Sequence, residues 1–227
     1  MQSQDAQTAV LLKVWPWIQT NKTRLIVITA VVVVVAFIYS YIVWNSDQKE
    51  IAAGQAVSQV ASAASETAVP AQTAETYFKI ANEYPGTIAG RRAWLQGASA
   101  LFEAGQYPDA QTQFQKFLDA HPDGEFSAQA TLGLAATYEA LGNVEKAASE
   151  YQQVINGFSS DVVSGNMAKL ALAQIDARQG KVADAQNLYD SIARTEVIGP
   201  FLQQQVQLAR VELRTQAPAT VVPAAKP

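Results

Sequence analysis

The chain has no cysteine, which excludes disulfides, thiolate nucleophiles and thiolate metal ligands together. Its single histidine is His121, so a zinc site would have to be assembled from carboxylates almost alone, against the metal's preference for nitrogen and sulfur. Glycine and proline are sparse and evenly spread through an Ala- and Gln-rich second half, the balance of helices joined by short turns, which argues against an all-β chain. Long apolar runs are also scarce, with one uninterrupted run near one end of the 227 residues. Length and composition therefore allow one medium-sized globular domain plus an anchor.

Charge is unevenly divided. Residues 1–44 carry Lys13, Lys22 and Arg24 against Asp5 alone, whereas the remainder carries 13 basic and 19 acidic side chains. A domain of that sign does not hold a polyphosphate backbone, so no nucleic-acid partner is expected.

The residues of catalysis are equally thin. Gly86, Gly90 and Gly97 lack the spacing and adjacent lysine of a phosphate-binding loop. A Ser-His-Asp triad would depend on His121, and no strand is expected that would raise a serine onto a sharp elbow. His121 lies between Asp119 and Asp123, but the repeat described below aligns it with Tyr84 and Phe158, which points to a flat ring packed at a turn. The carboxylates are spread along helix faces as solvated surface. The expectation is a protein that is not an enzyme, with no cofactor, no metal and no small-molecule substrate.

From Leu25 to Trp44, twenty residues pass without a charge, and a helix of that length spans ~30 Å, the thickness of a bilayer's hydrocarbon core. The β-branched run Val31 to Val35 is a poor helix in water, but in lipid the backbone has no other way to satisfy its polar groups. Tyr39, Tyr41 and Trp44 crowd one end, where amphipathic rings favour the headgroup layer. A cleaved signal peptide would have a shorter apolar core and a small-x-small site, whereas Val43-Trp44-Asn45-Ser46-Asp47 follows here. Basic residues before the span, against Asp47, Lys49 and Glu50 after it, place the N-terminus in the cytoplasm and the rest outside. Residues 1–24 read either as an interfacial helix, with Val10, Leu11, Leu12, Trp15 and Trp17 against the lipid surface, or as an ordinary cytoplasmic lead-in.

Aligned with itself, the rest of the chain repeats every 37 to 38 residues. Ala98, Ala135 and Ala173 are each followed by a second alanine at Ala110, Ala147 and Ala185, then by an aromatic at Phe114, Tyr151 and Tyr189. Gly105, Gly142 and Gly180 stand between the alanines, where a left-handed helix cap costs little without a Cβ. Each unit is thus two antiparallel helices brought close by alanine, and stacked units supply the core that one hairpin lacks. A degenerate earlier copy places Tyr77, Ile80 and Tyr84 over Phe114, Phe117 and His121, with Val57 and Ala61 in the places of Trp94 and Ala98. Thr87, Gly124 and Asp161 precede successive units at equivalent places, where Thr and Asp are natural N-caps. Beyond Gly199-Pro200, an amphipathic helix offers Phe201, Leu202, Val206, Leu208 and Val211 to cover the open end.

Trp94, Gly97-Ala98 and Leu101, then Thr131, Leu134-Ala135 and Tyr138, then more weakly Lys169, Leu172-Ala173 and Asp176, resemble the signature of the tetratricopeptide repeat. Ala110, Phe114 and Pro122 match its later alanine, aromatic and proline. Over about residues 88–195 the resemblance implies a solenoid of helical hairpins, and with the apolar run before it the chain reads as all-α, one N-terminal transmembrane helix followed by that solenoid. The chain as a whole divides into a lead-in over 1–24, the transmembrane helix over 25–44, a degenerate first repeat over 45–87, three repeats over 88–198, a capping helix over 199–215 and a disordered Pro/Ala tail over 216–227. The resemblance also implies a partner-binding concave face made of each unit's first helix: Arg92, Leu95, Ser99 and Phe102, then Leu132, Ala136 and Glu139, then Leu170, Gln174 and Arg178. The Lys and Asn that clamp a C-terminal carboxylate in chaperone-binding members are replaced by Leu95 and Ser99.

The layout of Trp17-Ile18-Gln19-Thr20-Asn21-Lys22, one apolar span and then the repeats is similar to the ancillary subunit family of the bacterial SecYEG translocon, the YfgM-like proteins. That resemblance implies a single-pass protein of the bacterial inner membrane, held there by residues 25–44, with its repeat domain in the periplasm. Its implied partners are the Sec translocon, periplasmic chaperones and exported chains. A cell-envelope scaffold coordinating division or outer-membrane assembly stays open as the alternative.

Overall fold

The computed structural model describes the backbone of residues 2–67, 70–195 and 199–216, and the side chains of 17–63, 70–195 and 199–215. Within these the chain is all-α, with nine helices and no strand among the described residues. It forms two compact units, Met1–Ala52 and Ala53–Pro227. The expected tail over 217–227 lies outside the described residues.

The first unit is helical throughout its described length, as part of α1 (Gln2–Thr67). The stretch Trp17–Ala63 of α1 contains a window long and apolar enough to cross a membrane, none of it buried within the protein. Ile26, Val34 and Phe37 are each more than half exposed, and Tyr41 and Trp44 lie with ring centroids 6.3 Å apart near the end of the apolar run. Asn45, Ser46 and Asp47 do not break the helix.

The second unit is built from the end of α1 and eight further helices: α2 (Pro70–Glu83), α3 (Ile88–Glu103), α4 (Tyr107–Ala120), α5 (Ser127–Ala140), α6 (Val144–Gly157), α7 (Val162–Arg178), α8 (Val182–Ala193) and α9 (Pro200–Gln216). Helices α4, α6 and α8 each bury one stripe at identical spacing: Ala110, Phe114 and Phe117; Ala147, Tyr151 and Val154; Ala185, Tyr189 and Ile192. An i, i+4, i+7 stripe faces one side of a helix, so these helices keep a polar side in water.

The turns inside the three hairpins are copies of one another. Gly105, Gly142 and Gly180 adopt φ of 75°, 78° and 76°. In each turn the glycine N–H donates three residues back (Gly105 to the Phe102 carbonyl at 2.9 Å), and the next residue donates five back, Gln106 to Leu101, Asn143 to Tyr138 and Lys181 to Asp176. This is the Schellman arrangement, which satisfies carbonyls that the helix end leaves open.

The first helices of the hairpins are shielded on more than one side, because α3, α5, α7 and α9 meet in succession as well as touching α4, α6 and α8. Ala98, Ala135 and Ala173 are fully buried there. Helix α5 also buries Ser127, Thr131 and Thr137, and each hydroxyl finds a carbonyl: Ser127 donates to His121 at 2.7 Å, Thr131 to Ser127 at 2.8 Å and Thr137 to Gly133 at 2.7 Å. Local bonding of this kind removes the penalty of burying a hydroxyl.

Two caps stand where the sequence places them. The Gly90 N–H donates to Thr87 Oγ1 at 2.9 Å and the Ser164 N–H to Asp161 Oδ1 at 3.0 Å. The third differs: α5 begins after Phe126, two residues beyond Gly124. Glycine has no side chain to cap with, and the buried Phe126 ring together with the Ser127 bond to His121 fixes the helix start instead.

Helix α9 runs one residue beyond its expected end and covers the last hairpin through Leu202, Val206 and Leu213, against Ala173, Ala185, Tyr189 and Ile192. Phe201, Leu208 and Val211, expected in that contact, face solvent at 65%, 58% and 59% exposure. The reason is geometric: 202, 206, 209 and 213 share one face of a 3.6-residue helix, with Ala209 small enough to sit against the stack, while the other three lie round the back.

Candidate functional site

Helices α3 and α5 run side by side, and between them lies an open groove of about 610 Å³. Its walls repeat the same four positions on each helix, Arg92, Leu95, Gln96 and Ser99 on α3, then Gln129, Leu132, Gly133 and Ala136 on α5. Residues i, i+3, i+4 and i+7 share a helix face, so two such faces line the groove. Phe114 and Phe126 complete it. Leu95 is buried at 7% exposure and forms the floor, Leu132 and Ala136 are half-buried, and Arg92, Ser99 and Gln129 are exposed.

Two aromatic contacts shape this groove. A Cβ at Gly133 would stand 2.4 Å from Phe114 Cζ, so the absence of a side chain there lets the Phe114 ring of α4 lie against α5. At the rim, the Arg92 guanidinium sits over the Phe126 ring, 5.9 Å from its centroid, a cation–π geometry. The shielded carboxamide oxygen of Gln96 meets no hydrogen-bond donor among the described residues.

A second cluster joins α5, α6 and α7. The Glu139 carboxylate accepts the Tyr151 hydroxyl at 3.1 Å through Oε2 and pairs with Arg178 through Oε1. Burial first, and then the Glu139 charge, push the Tyr151 phenol well above its ordinary value. Arg178 and Gln174 also line a recess of about 300 Å³ with Ala177, Tyr189, Ala209, Glu212 and Leu213.

The ten residues expected on the concave face therefore fall into separate places. Arg92, Leu95, Ser99, Leu132 and Ala136 line one groove. Glu139, Gln174 and Arg178 belong to the second cluster and its recess. Phe102 lines neither, its ring lying 5.2 Å from that of Tyr107, and Leu170 is half-buried against the cluster covered by α9. Gln96, Gln129 and Gly133 were not among the expected residues; stepping 37 positions from Arg92 to Gln129 was the signal that finds the second wall.

His121 ends α4 with its ring 5.1 Å from Phe117 and 6.5 Å from Trp94. No group of three or more His, Asp or Glu capable of holding a metal occurs among the described residues.

Residues 16–162 match a family model described as a tetratricopeptide repeat-like domain, more than half of the chain. No curated protein matches the chain, and no solved structure does.

Proposed function

The chain belongs to the tetratricopeptide repeat-like domain family, and from that premise we propose that it is a membrane-anchored, non-catalytic module that holds other proteins against the α3–α5 groove. Domains of this family generally bind proteins. The observation that carries the proposal is the groove itself, an open strip with an apolar floor and polar edges, made from the same positions of two successive hairpins. Such a floor with polar rims is the anatomy of a protein-binding surface.

The finer assignment rests on the layout of the chain. We place the protein in the bacterial inner membrane with a cytoplasmic N-terminus, because Lys13, Lys22 and Arg24 precede the apolar run and Asp47 and Glu50 follow it. In the periplasm the repeats over 45–198 would serve as an ancillary subunit of the Sec translocon, passing exported chains to periplasmic chaperones. The non-catalytic assignment is supported by His121, whose ring is spent on aromatic packing with Phe117 and Trp94.

The test is a photo-crosslinking amino acid placed at Gln129, in the groove, and separately at the exposed Gln152 of α6. In native bacterial membranes the Gln129 probe is expected to join translocon or chaperone proteins and the Gln152 probe is not. Protein adducts from Gln152 alone would move the binding surface off the groove. Adducts at Gln129 with division or outer-membrane assembly proteins would replace the translocon assignment with the scaffold one.

A further inference from the structure

We propose that the α3–α5 groove selects an extended peptide segment in which an acidic side chain stands two residues from an apolar one, Arg92 taking the carboxylate and the Leu95–Leu132 floor the apolar group. The inference rests on the groove being the binding surface argued above and names the chemistry of its occupant.

Charge is the first ground. Among the described residues Arg92 is the only charged one lining the groove, and it has no part in the ion pairs that join Arg178 to Glu139, Lys181 to Asp176 and Arg210 to Asp190. Its charge faces the groove in a region that is acidic on balance, with 13 basic and 19 acidic side chains after residue 44. Stacking on Phe126 engages one face of the guanidinium, which leaves its edge N–H groups free to hold a carboxylate in a forked pair. One cation is too few for a polyphosphate, so the charge suits a single carboxylate.

Spacing is the second. Arg92 and Leu95 are about one helical turn apart, ~5 Å along α3, and alternate side chains of an extended peptide share a face at ~6.6 Å. An acidic residue and an apolar residue two positions on therefore reach Arg92 and the floor together.

The third ground is Gln96, whose carboxamide oxygen is shielded yet unpaired. The terminal torsion of glutamine is broad, so a turn of the carboxamide toward the groove lets it accept a peptide N–H. Binding then removes an unmet acceptor, which apolar surface alone does not do.

The experiment selects decapeptides from a random displayed library on the full chain in nanodiscs, with a photo-crosslinker at Gln129 to show where the selected peptides sit. The expected pool crosslinks at Gln129 and is enriched in Asp or Glu two positions from Leu, Val or Phe. Enrichment should reach about threefold to fivefold, the scale of a solvent-facing ion pair. Arg92→Glu, on an exposed position and checked for unchanged thermal unfolding, should turn the preference toward Lys and Arg. Crosslinking at Gln129 without acidic enrichment, or with the same pool after Arg92→Glu, overturns the inference and leaves the groove as the binding surface. Failure of any selected peptide to crosslink at Gln129, or adducts there only with residues 217–227 or a second copy of the chain, overturns both.

Discussion

The Tyr151 hydroxyl donates to Glu139 Oε2 at 3.1 Å, joining the second helix of one hairpin to the first. Because Arg178 of the next hairpin pairs with the other oxygen of the same carboxylate, one side chain ties α5, α6 and α7 together.

This relationship makes stability depend on alkaline pH. Tyr151 is held above its ordinary value of 10.0 by burial and by Glu139, so above that pH the unfolded chain releases a proton that the folded chain keeps. Stability from this group is complete below about pH 10 and is lost as pH rises toward the folded value. Tyr151→Phe should cost about 1 kcal/mol at pH 8 through the lost hydrogen bond. Urea unfolding between pH 8 and 11 should show the two proteins converging; a constant gap would mean the phenol is not linked to folding.

Two glycines should fail for different reasons when replaced by alanine. Gly142 has φ of 78° and nothing within 4 Å of an added Cβ, so Gly142→Ala should cost about 1–2 kcal/mol through the backbone alone. Gly133→Ala acts through the Phe114 ring 2.4 Å away. Its cost should shrink in a Phe114→Leu background, where that of Gly142→Ala stays constant. Equal costs in both backgrounds would show that the ring does not set the limit.

Ala135 has no exposed surface, and Ala135→Leu should destabilise the second unit by about 1–3 kcal/mol as close helices are forced apart. His121→Phe keeps a flat ring beside Phe117 and should change stability by less than about 1.5 kcal/mol. A larger loss from the histidine change, measured by thermal unfolding, would mean that the imidazole nitrogens matter.

Val34→Arg, at the middle of the apolar run, should cost about 2.5–3.5 kcal/mol of insertion free energy. A smaller membrane-bound fraction after carbonate extraction is the expected result. A periplasm-dependent reporter fused after Pro227 should be active, and activity from a cytoplasm-dependent one would reverse the assigned orientation.

What the sequence conveyed well was whatever depends on backbone period: the left-handed glycines Gly105, Gly142 and Gly180 inside the hairpins, the stripe of Ala110, Phe114 and Phe117 with its two copies, and the Thr87 and Asp161 caps. It conveyed poorly whatever depends on the rotation of one helix against its neighbour. Phe102 and Leu95 share α3, yet Leu95 lines the groove and Phe102 meets Tyr107. Phe201 and Leu202 are adjacent and equally apolar, and only Leu202 is buried. Helix α5 hides part of its logic, since Thr137 looks like a surface residue until its bond to the Gly133 carbonyl four residues back is seen. The apolar run was plain, but the continuation of α1 to Thr67 was not, because Asn45, Ser46 and Asp47 mimic a stop.

Helix α9 occupies the place that a fourth hairpin's first helix would take, touching α7 and α8, with no later helix behind it among the described residues. In a quasi-one-dimensional array each element is held by its neighbours alone, so this end can open without disturbing α3 or α5. Detachment of α9 would bare the Ala173, Tyr189 and Ile192 surface to water, which makes it the gatekeeper against end-to-end aggregation. Amide hydrogens in α9 should accordingly exchange sooner than those of the shielded α5, in a gradient that reads along the chain from its C-terminal end toward the groove.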